Sequence, residues 1–195
     1  MSERLTMLER KSLVRPLLLA CALAAASFGV IAGDWTQAAG SKLEFAGTYQ
    51  GDAFSGSFPG FATRMHFDPA QLADARLDVV IPMVNATTGT EDYDTEMRGA
   101  AFFDSARFPQ ARYSATKFRA LGGNRFAADG TLSLHGVNKP VTLTFTWTPG
   151  AKPVLDGKAT VKRLDFGVGG GEWADTSLLP DAITVTTKVV FAPKG

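Results

Sequence analysis

His66 and His135 are the side chains of this sequence best suited to proton transfer or metal binding near neutral pH, and there is no third histidine. His66 lies within Arg64-Met65-His66-Phe67-Asp68, and His135 ends Leu132-Ser133-Leu134-His135. They are far apart in the chain, and their spacing gives no reason to expect a shared metal or a proton relay. Asp92-x-Asp94-x-Glu96 opens like a calcium loop. Its sixth position, which needs glycine, is Met97, and its twelfth, which needs glutamate, is Phe103. An acidic first turn of a helix is the better reading. Gly167-Val168-Gly169-Gly170-Gly171 lacks the Lys-Ser/Thr pair of a phosphate loop, and dinucleotide spacing fails at Glu172. A wide surface turn is expected there, with backbone freedom near a ligand mouth as the alternative. No serine sits in a nucleophile elbow, and the carboxylates are scattered rather than paired. No catalytic residue and no metal ligand is therefore assigned, and binding is a better expectation than catalysis.

The elements around these residues are mostly strands. In Val141, Leu143, Phe145 and Trp147 every second residue is apolar, with Thr142, Thr144, Thr146 and Thr148 between them. Only a strand sends those two sets to opposite faces. Phe126, Ala128, Gly130, Leu132 and Leu134 share one parity up to a turn at His135-Gly136, which predicts one bulged strand through Asp129-Gly130 rather than a hairpin there. Further strands are read around Leu43 and Phe45, over 54–58 and 61–67 joined by Pro59-Gly60, and over 77–83 with Pro82 marking an edge, bulge or end. The remaining strands are read over 113–118, 154–161 and 183–191. With about eight strands and short connections, the fold class is mainly β: an antiparallel eight-stranded barrel. Between strands, Thr88-x-x-Glu91 has capping-box spacing, and Asp94 and Arg98 can pair at i,i+4. A short helix or helical turn ending near Gly99, across the mouth or bottom of the barrel, is expected.

The first 32 residues read as a signal peptide. Arg4, Arg10, Lys11 and Arg15 precede an uncharged Leu/Ala-rich run from Leu17 to Ala32, short for a membrane span, with small residues at its end. Cleavage near Ala32 is preferred; an uncleaved anchor and a lipoprotein site at Leu18-Leu19-Ala20-Cys21 are the alternatives. The single cysteine, Cys21, would leave with the signal, so residues 33–195 would form one exported domain without disulfide or thiol chemistry. That domain carries 16 Lys+Arg against 17 Asp+Glu. With no basic stripe, nucleic acid is not an expected partner.

The chain has fourteen phenylalanines, most on strands or beside the helix. An eight-stranded barrel is just wide enough to be filled by side chains or to hold one ligand. The apolar surplus, with small strand residues such as Gly47 and Gly56, fits a carrier for a molecule that water rejects, and it fits a simply filled core as well.

Five stretches carry a family resemblance: Gly56-Ser57-Phe58; Thr90 to Asp104, ending Ala101-Phe102-Phe103-Asp104; Arg107-Phe108-Pro109-Gln110-Ala111-Arg112-Tyr113; Gly130 through Leu134-His135-Gly136-Val137-Asn138-Lys139-Pro140-Val141; and Arg163-Leu164-Asp165-Phe166-Gly167. In this order they resemble the YceI-like family of periplasmic polyisoprenoid-binding proteins. The resemblance implies an extended lipocalin-like barrel with an amphipathic helix and a long hydrophobic pocket, and a long-chain isoprenoid lipid or quinone held in an apolar tunnel as ligand rather than a cofactor. Where the family often shows Arg-Asp-x-His-Leu, this chain has Tyr93-Asp94-Thr95-Glu96-Met97, which puts its head-group preference in question. Strand parity nominates Phe45, Leu77, Val79, Ile81, Leu132, Leu134, Leu143, Phe145 and Trp147 as inward, ligand-binding positions, with Met97, Phe102 and Phe103 nearby. Asp94, His135 and Arg163 fit a structural role, holding turns, or a functional one. A transient inner-membrane partner, as for an accessory to a quinone or b-type cytochrome system, and a homodimer stay open. So do a histidine-dependent enzyme for an amphiphilic substrate and a filled barrel with a stress-related structural role.

Overall fold

The computed structural model describes residues 33–194, so the expected signal peptide at 1–32 lies outside the described residues. The described residues form ten strands: β1 Gly33–Gln37, β2 Lys42–Tyr49, β3 Asp52–Ser57, β4 Ala62–Phe67, β5 Arg76–Pro82, β6 Gln110–Gly122, β7 Arg125–Leu134, β8 Val137–Thr148, β9 Val154–Lys162 and β10 Ala182–Pro193. One helix, α1 Glu91–Arg98, lies between β5 and β6. All pairings are antiparallel, and β1 bonds both β4 and β10, so eight strands close into a barrel in the order β1-β4-β5-β6-β7-β8-β9-β10. The last residues of β10 pair with β1, while its first half pairs with β2 through Thr184–Lys188. The β2–β3 hairpin therefore extends the wall at one end. The outer edge of β3 is bridged there by Ser57 to Thr87, ahead of α1.

Period-2 burial follows the sequence pattern. In β8, Phe145 and Trp147 are buried while Thr142, Thr144, Thr146 and Thr148 are exposed. The β7–β8 turn has two residues, His135 and Gly136, both with positive φ (51° and 75°). Positive φ at both positions gives a turn whose twist matches the strands, and glycine takes its place there without steric cost. Pro82 ends β5, where no ladder N–H is needed.

Four expectations need correction. β1 was not anticipated: five residues with a single buried side chain, Trp35, are too short to show a period. β7 runs unbroken through Asp129-Gly130 as expected, but the bulge lies in its partner β6, where register shifts between Ala115 and Lys117. The capping box does not form. Thr90 is the N-cap without a side-chain bond, and the Thr88 hydroxyl donates instead to Asp94 at 2.7 Å, a charged and therefore stronger acceptor. Finally, Gly47 and Gly56 do not enlarge the interior. A Cβ on Gly56 would collide with the Phe45 ring, so the absent side chain is filled by an aromatic one; Phe54 fills Gly47 in the same way.

One end of the barrel is plugged by aromatic rings. Phe67 is fully buried, with Trp147, Phe126, Phe145 and Phe118 at centroid distances of 4.9, 5.1, 5.6 and 5.9 Å. Trp35 and Phe191 close on Trp147 from β1 and β10. These rings combine large apolar burial with favourable tilted and edge-to-face contacts. No helix among the described residues is long and apolar enough to cross a membrane.

Candidate functional site

Beyond the plug the barrel encloses an apolar cavity of about 570 Å³ that opens to solvent. Its side wall is built by inward residues of five consecutive strands: Leu77, Val79 and Ile81 of β5; Tyr113 of β6; Leu132 and Leu134 of β7; Val141 and Leu143 of β8; Ala159 and Val161 of β9. Ile183 and Val185 of β10 and Phe45 of β2 complete the ring, and Met97, Phe102 and Phe103 come from α1 and the turn after it. The exposed members of the lining, Gln50, Asp52, Ala53, Tyr93 and Glu96, mark the mouth between the β2–β3 turn and α1. A shallow groove of about 200 Å³ adjoins it, sharing Tyr49, Trp173 and Leu179 and adding Glu172, Asp175 and Leu178.

Ten of the twelve nominated residues thus lie in the cavity wall: Phe45, Leu77, Val79, Ile81, Met97, Phe102, Phe103, Leu132, Leu134 and Leu143. Phe145 and Trp147 do not. They share the inward parity of Leu143, but they lie further along β8, at the level of the Phe67 plug. Parity fixes the face of a strand and not the depth along the barrel. Val161, Ile183 and Val185 were missed as wall residues although the same alternation marks them. Trp173 and Leu179 carry no such signal, because they reach the cavity from the irregular segment between β9 and β10.

That segment is organised by Arg163, which is 3% exposed. Its Nε donates to the Pro180 carbonyl (3.2 Å), Nη1 to those of Val168 (3.1 Å) and Gly169, and Nη2 to those of Trp173 (2.7 Å) and Leu179 (2.6 Å). A guanidinium has five N–H donors, so each is matched by one carbonyl. The glycine-rich run is therefore no surface turn: Val168 is buried and its neighbours wrap a cation. Burial lowers the Arg163 pKa, opposed by the nearby Asp181 carboxylate.

Asp94 ties α1 to the preceding loop. It is 4% exposed and accepts from the Thr87 hydroxyl, the Thr88 N–H and the Thr88 hydroxyl, with Arg98 Nη2 at 3.4 Å. Burial pushes its carboxyl pKa up, but these donors together outweigh burial and hold it below its ordinary value. A depressed folded pKa contributes stability that is present above the unfolded value near 4 and is lost as pH falls through the folded value. Asp94→Asn is expected to destabilise by about 1–3 kcal/mol at pH 7. The difference from the parent should narrow at pH 3, as read by urea unfolding at both values.

The histidines lie in separate settings. His66 donates from Nδ1 to Asp34 at 2.9 Å on the outer face of β4 and β1. His135 donates from Nδ1 to the Phe166 carbonyl at 3.0 Å and stands edge-on to Phe108, locking the β7–β8 turn to the segment after β9. Among the described residues no three His, Cys, Asp or Glu side chains form a metal-binding group. The Tyr113 hydroxyl, inside the wall, donates to the Ala128 carbonyl at 2.8 Å, and burial raises its pKa far above the ordinary phenol value.

Comparison with known proteins agrees with this architecture. A UPF0312 protein of Vibrio campbellii is 30% identical over 120 residues, covering 60% of this chain and 64% of the relative. The chain spans about three fifths of the length of the curated relatives it matches. The crystal structure of Burkholderia cenocepacia BcnA is similar with a TM-score of 0.74 and 30% identity, over 77% of this chain and 95% of that one. A polyisoprenoid binding domain from Saccharophagus degradans, implicated in plant cell wall breakdown, shares the fold with a TM-score of 0.63 at 15% identity, over 84% of this chain and all of that one. The YceI-like domain matches residues 35–191, from within β1 to within β10, and the chain belongs to the YceI-like domain family.

Proposed function

We propose that this protein is a non-enzymatic carrier that sequesters an isoprenoid lipid or isoprenoid quinone outside the cytoplasm, in the periplasm. The observation that carries the reading is the cavity: about 570 Å³, walled by aliphatic and aromatic side chains, with its exposed polar groups at the mouth. Pockets of several hundred Å³ with few polar groups are the usual form of a small-molecule site. At about 30 Å³ for a water-sized group, the volume holds about twenty methylene-sized groups. Each methylene taken from water contributes roughly 0.8 kcal/mol, enough to hold such a tail without a specific polar contact. A tail leaving a bilayer exchanges one apolar solvent for another, so that contribution nearly vanishes and the mouth decides between membrane and barrel. The structural neighbour described as a polyisoprenoid binding domain supports the same class of ligand. A catalytic reading has no comparable support, since His66 and His135 lie outside the cavity lining.

The test is native mass spectrometry of protein purified from its own source, followed by solvent extraction and lipid analysis. A stoichiometric bound mass that extracts as an isoprenoid is expected. An apo mass that takes up no isoprenoid quinone when one is offered would sink the carrier reading.

A further inference from the structure

We propose that the mouth of the cavity selects amphiphiles with an uncharged or cationic head group and turns away those ending in a phosphate or diphosphate. The inference rests on the carrier reading and concerns the same site.

Among the described residues lining the cavity and its adjoining groove, the charged side chains are Asp52, Glu96, Glu172, Asp175 and Arg163. Four are carboxylates. The fifth, Arg163, is the one cation of the lining, and its five N–H donors are already spent on five backbone carbonyls. Proteins hold phosphates with free Arg or Lys side chains, or with the N–H groups at a helix start. The helix start at this mouth is closed to that use. The first turn of α1 carries Glu91, Asp92 and Asp94, whose carboxylates repel an anion from its N–H groups.

Nor are the mouth carboxylates neutralised by neighbours. The ion pairs formed among the described residues are His66–Asp34, Arg98–Asp94 and Arg119–Asp129. None includes Asp52, Glu96, Glu172 or Asp175. An anionic head group entering this rim would give up hydration, find no cation, and meet like charges. A hydroxyl or quinone head group loses little, and an ammonium gains attraction as well as hydrogen-bond acceptors.

The test holds the tail constant and varies the head. Geranylgeraniol, geranylgeranyl amine and geranylgeranyl diphosphate each carry about twenty carbons, the number the cavity takes. Each is titrated below its micelle concentration while tryptophan emission is followed, Trp173 standing in the wall. At an ionic strength of about 0.01 M, where the Debye length is about 30 Å, the alcohol and amine are expected to bind and the diphosphate to bind at least about tenfold more weakly. The gap should shrink at about 1 M, where charges are screened beyond about 3 Å. The triple variant Asp52→Asn, Glu96→Gln, Glu172→Gln should close it as well, by weakening the amine and strengthening the diphosphate. A diphosphate that binds as tightly as the alcohol at low salt, or a gap that the triple variant leaves unchanged, overturns the head-group inference and leaves the carrier reading standing. Failure of all three ligands to bind overturns the carrier reading, and this inference with it.

Discussion

Arg163→Met is expected to destabilise the protein by about 3–5 kcal/mol, the largest single-site effect the structure supports. The side chain satisfies the carbonyls of Val168, Gly169, Trp173, Leu179 and Pro180. Methionine fills much of the same space and satisfies none of them. A buried acceptor left without a donor costs about 1–3 kcal/mol, and water entering the segment recovers part of that. Domains of this size are stable by about 5–15 kcal/mol, so the loss removes a large share of the margin. The melting temperature should fall by about 10 °C, at about 2–4 °C per kcal/mol. Arg163→Lys is expected to rescue only partly, because a compact ammonium has three donors and cannot span five carbonyls. Urea unfolding of both variants checks the order parent, Lys, Met. A Met variant as stable as the parent would show that the segment holds itself together without the cation. It would also undo the argument that Arg163 has no donor to offer a ligand.

Ala159→Phe is expected to separate binding from stability. Ala159 is a nearly buried residue of β9 that faces the cavity, opposite Val185 in the ladder. A phenyl ring there occupies space otherwise open to a tail. Displacing about four methylenes, at roughly 0.8 kcal/mol each, weakens binding on the order of 100-fold. Stability should be unchanged or raised, because the ring buries apolar surface in a void. In a filled barrel the same substitution would overpack the interior and cost about 1–3 kcal/mol. Isoprenoid titration and thermal unfolding of one variant therefore decide between the carrier and the filled barrel: weaker binding with retained stability supports the first, and lost stability the second.

Much of the architecture was legible where one side of an element faces water and the other does not. The alternation of β8, the Pro82 end of β5 and the His135-Gly136 turn each follow from a local rule, and the structure obeys it. So does the Asp94–Arg98 pair on α1. The errors fall where partners are remote. Thr88 was read as a cap because the competing acceptor, the Asp94 carboxylate, had not been placed. The glycine run after Phe166 read as a surface turn because nothing in its own sequence announces the guanidinium it encloses. Gly56 suggested open space until the ring of Phe45 was seen lying over it.

The sequence by itself determined that the chain forms an antiparallel barrel of amphipathic strands with one short helix, because side-chain period and turn chemistry are local properties of consecutive residues. Only the tertiary structure decided where the barrel is full and where it is hollow. Leu143 and Phe145 are two residues apart on the same face of β8, yet one lines the cavity and the other belongs to the aromatic plug. The difference is set by Phe67, Phe118 and Phe126, which meet Phe145 from three other strands, while Trp35 and Phe191 close on Trp147 from two more. The charge of the mouth was likewise decided by folding. It brings Asp52, Glu96 and Glu172 to one rim from three distant stretches, while the one nearby cation turns inward to the backbone. Depth and rim charge depend on which strands lie side by side, and no window of consecutive residues contains that.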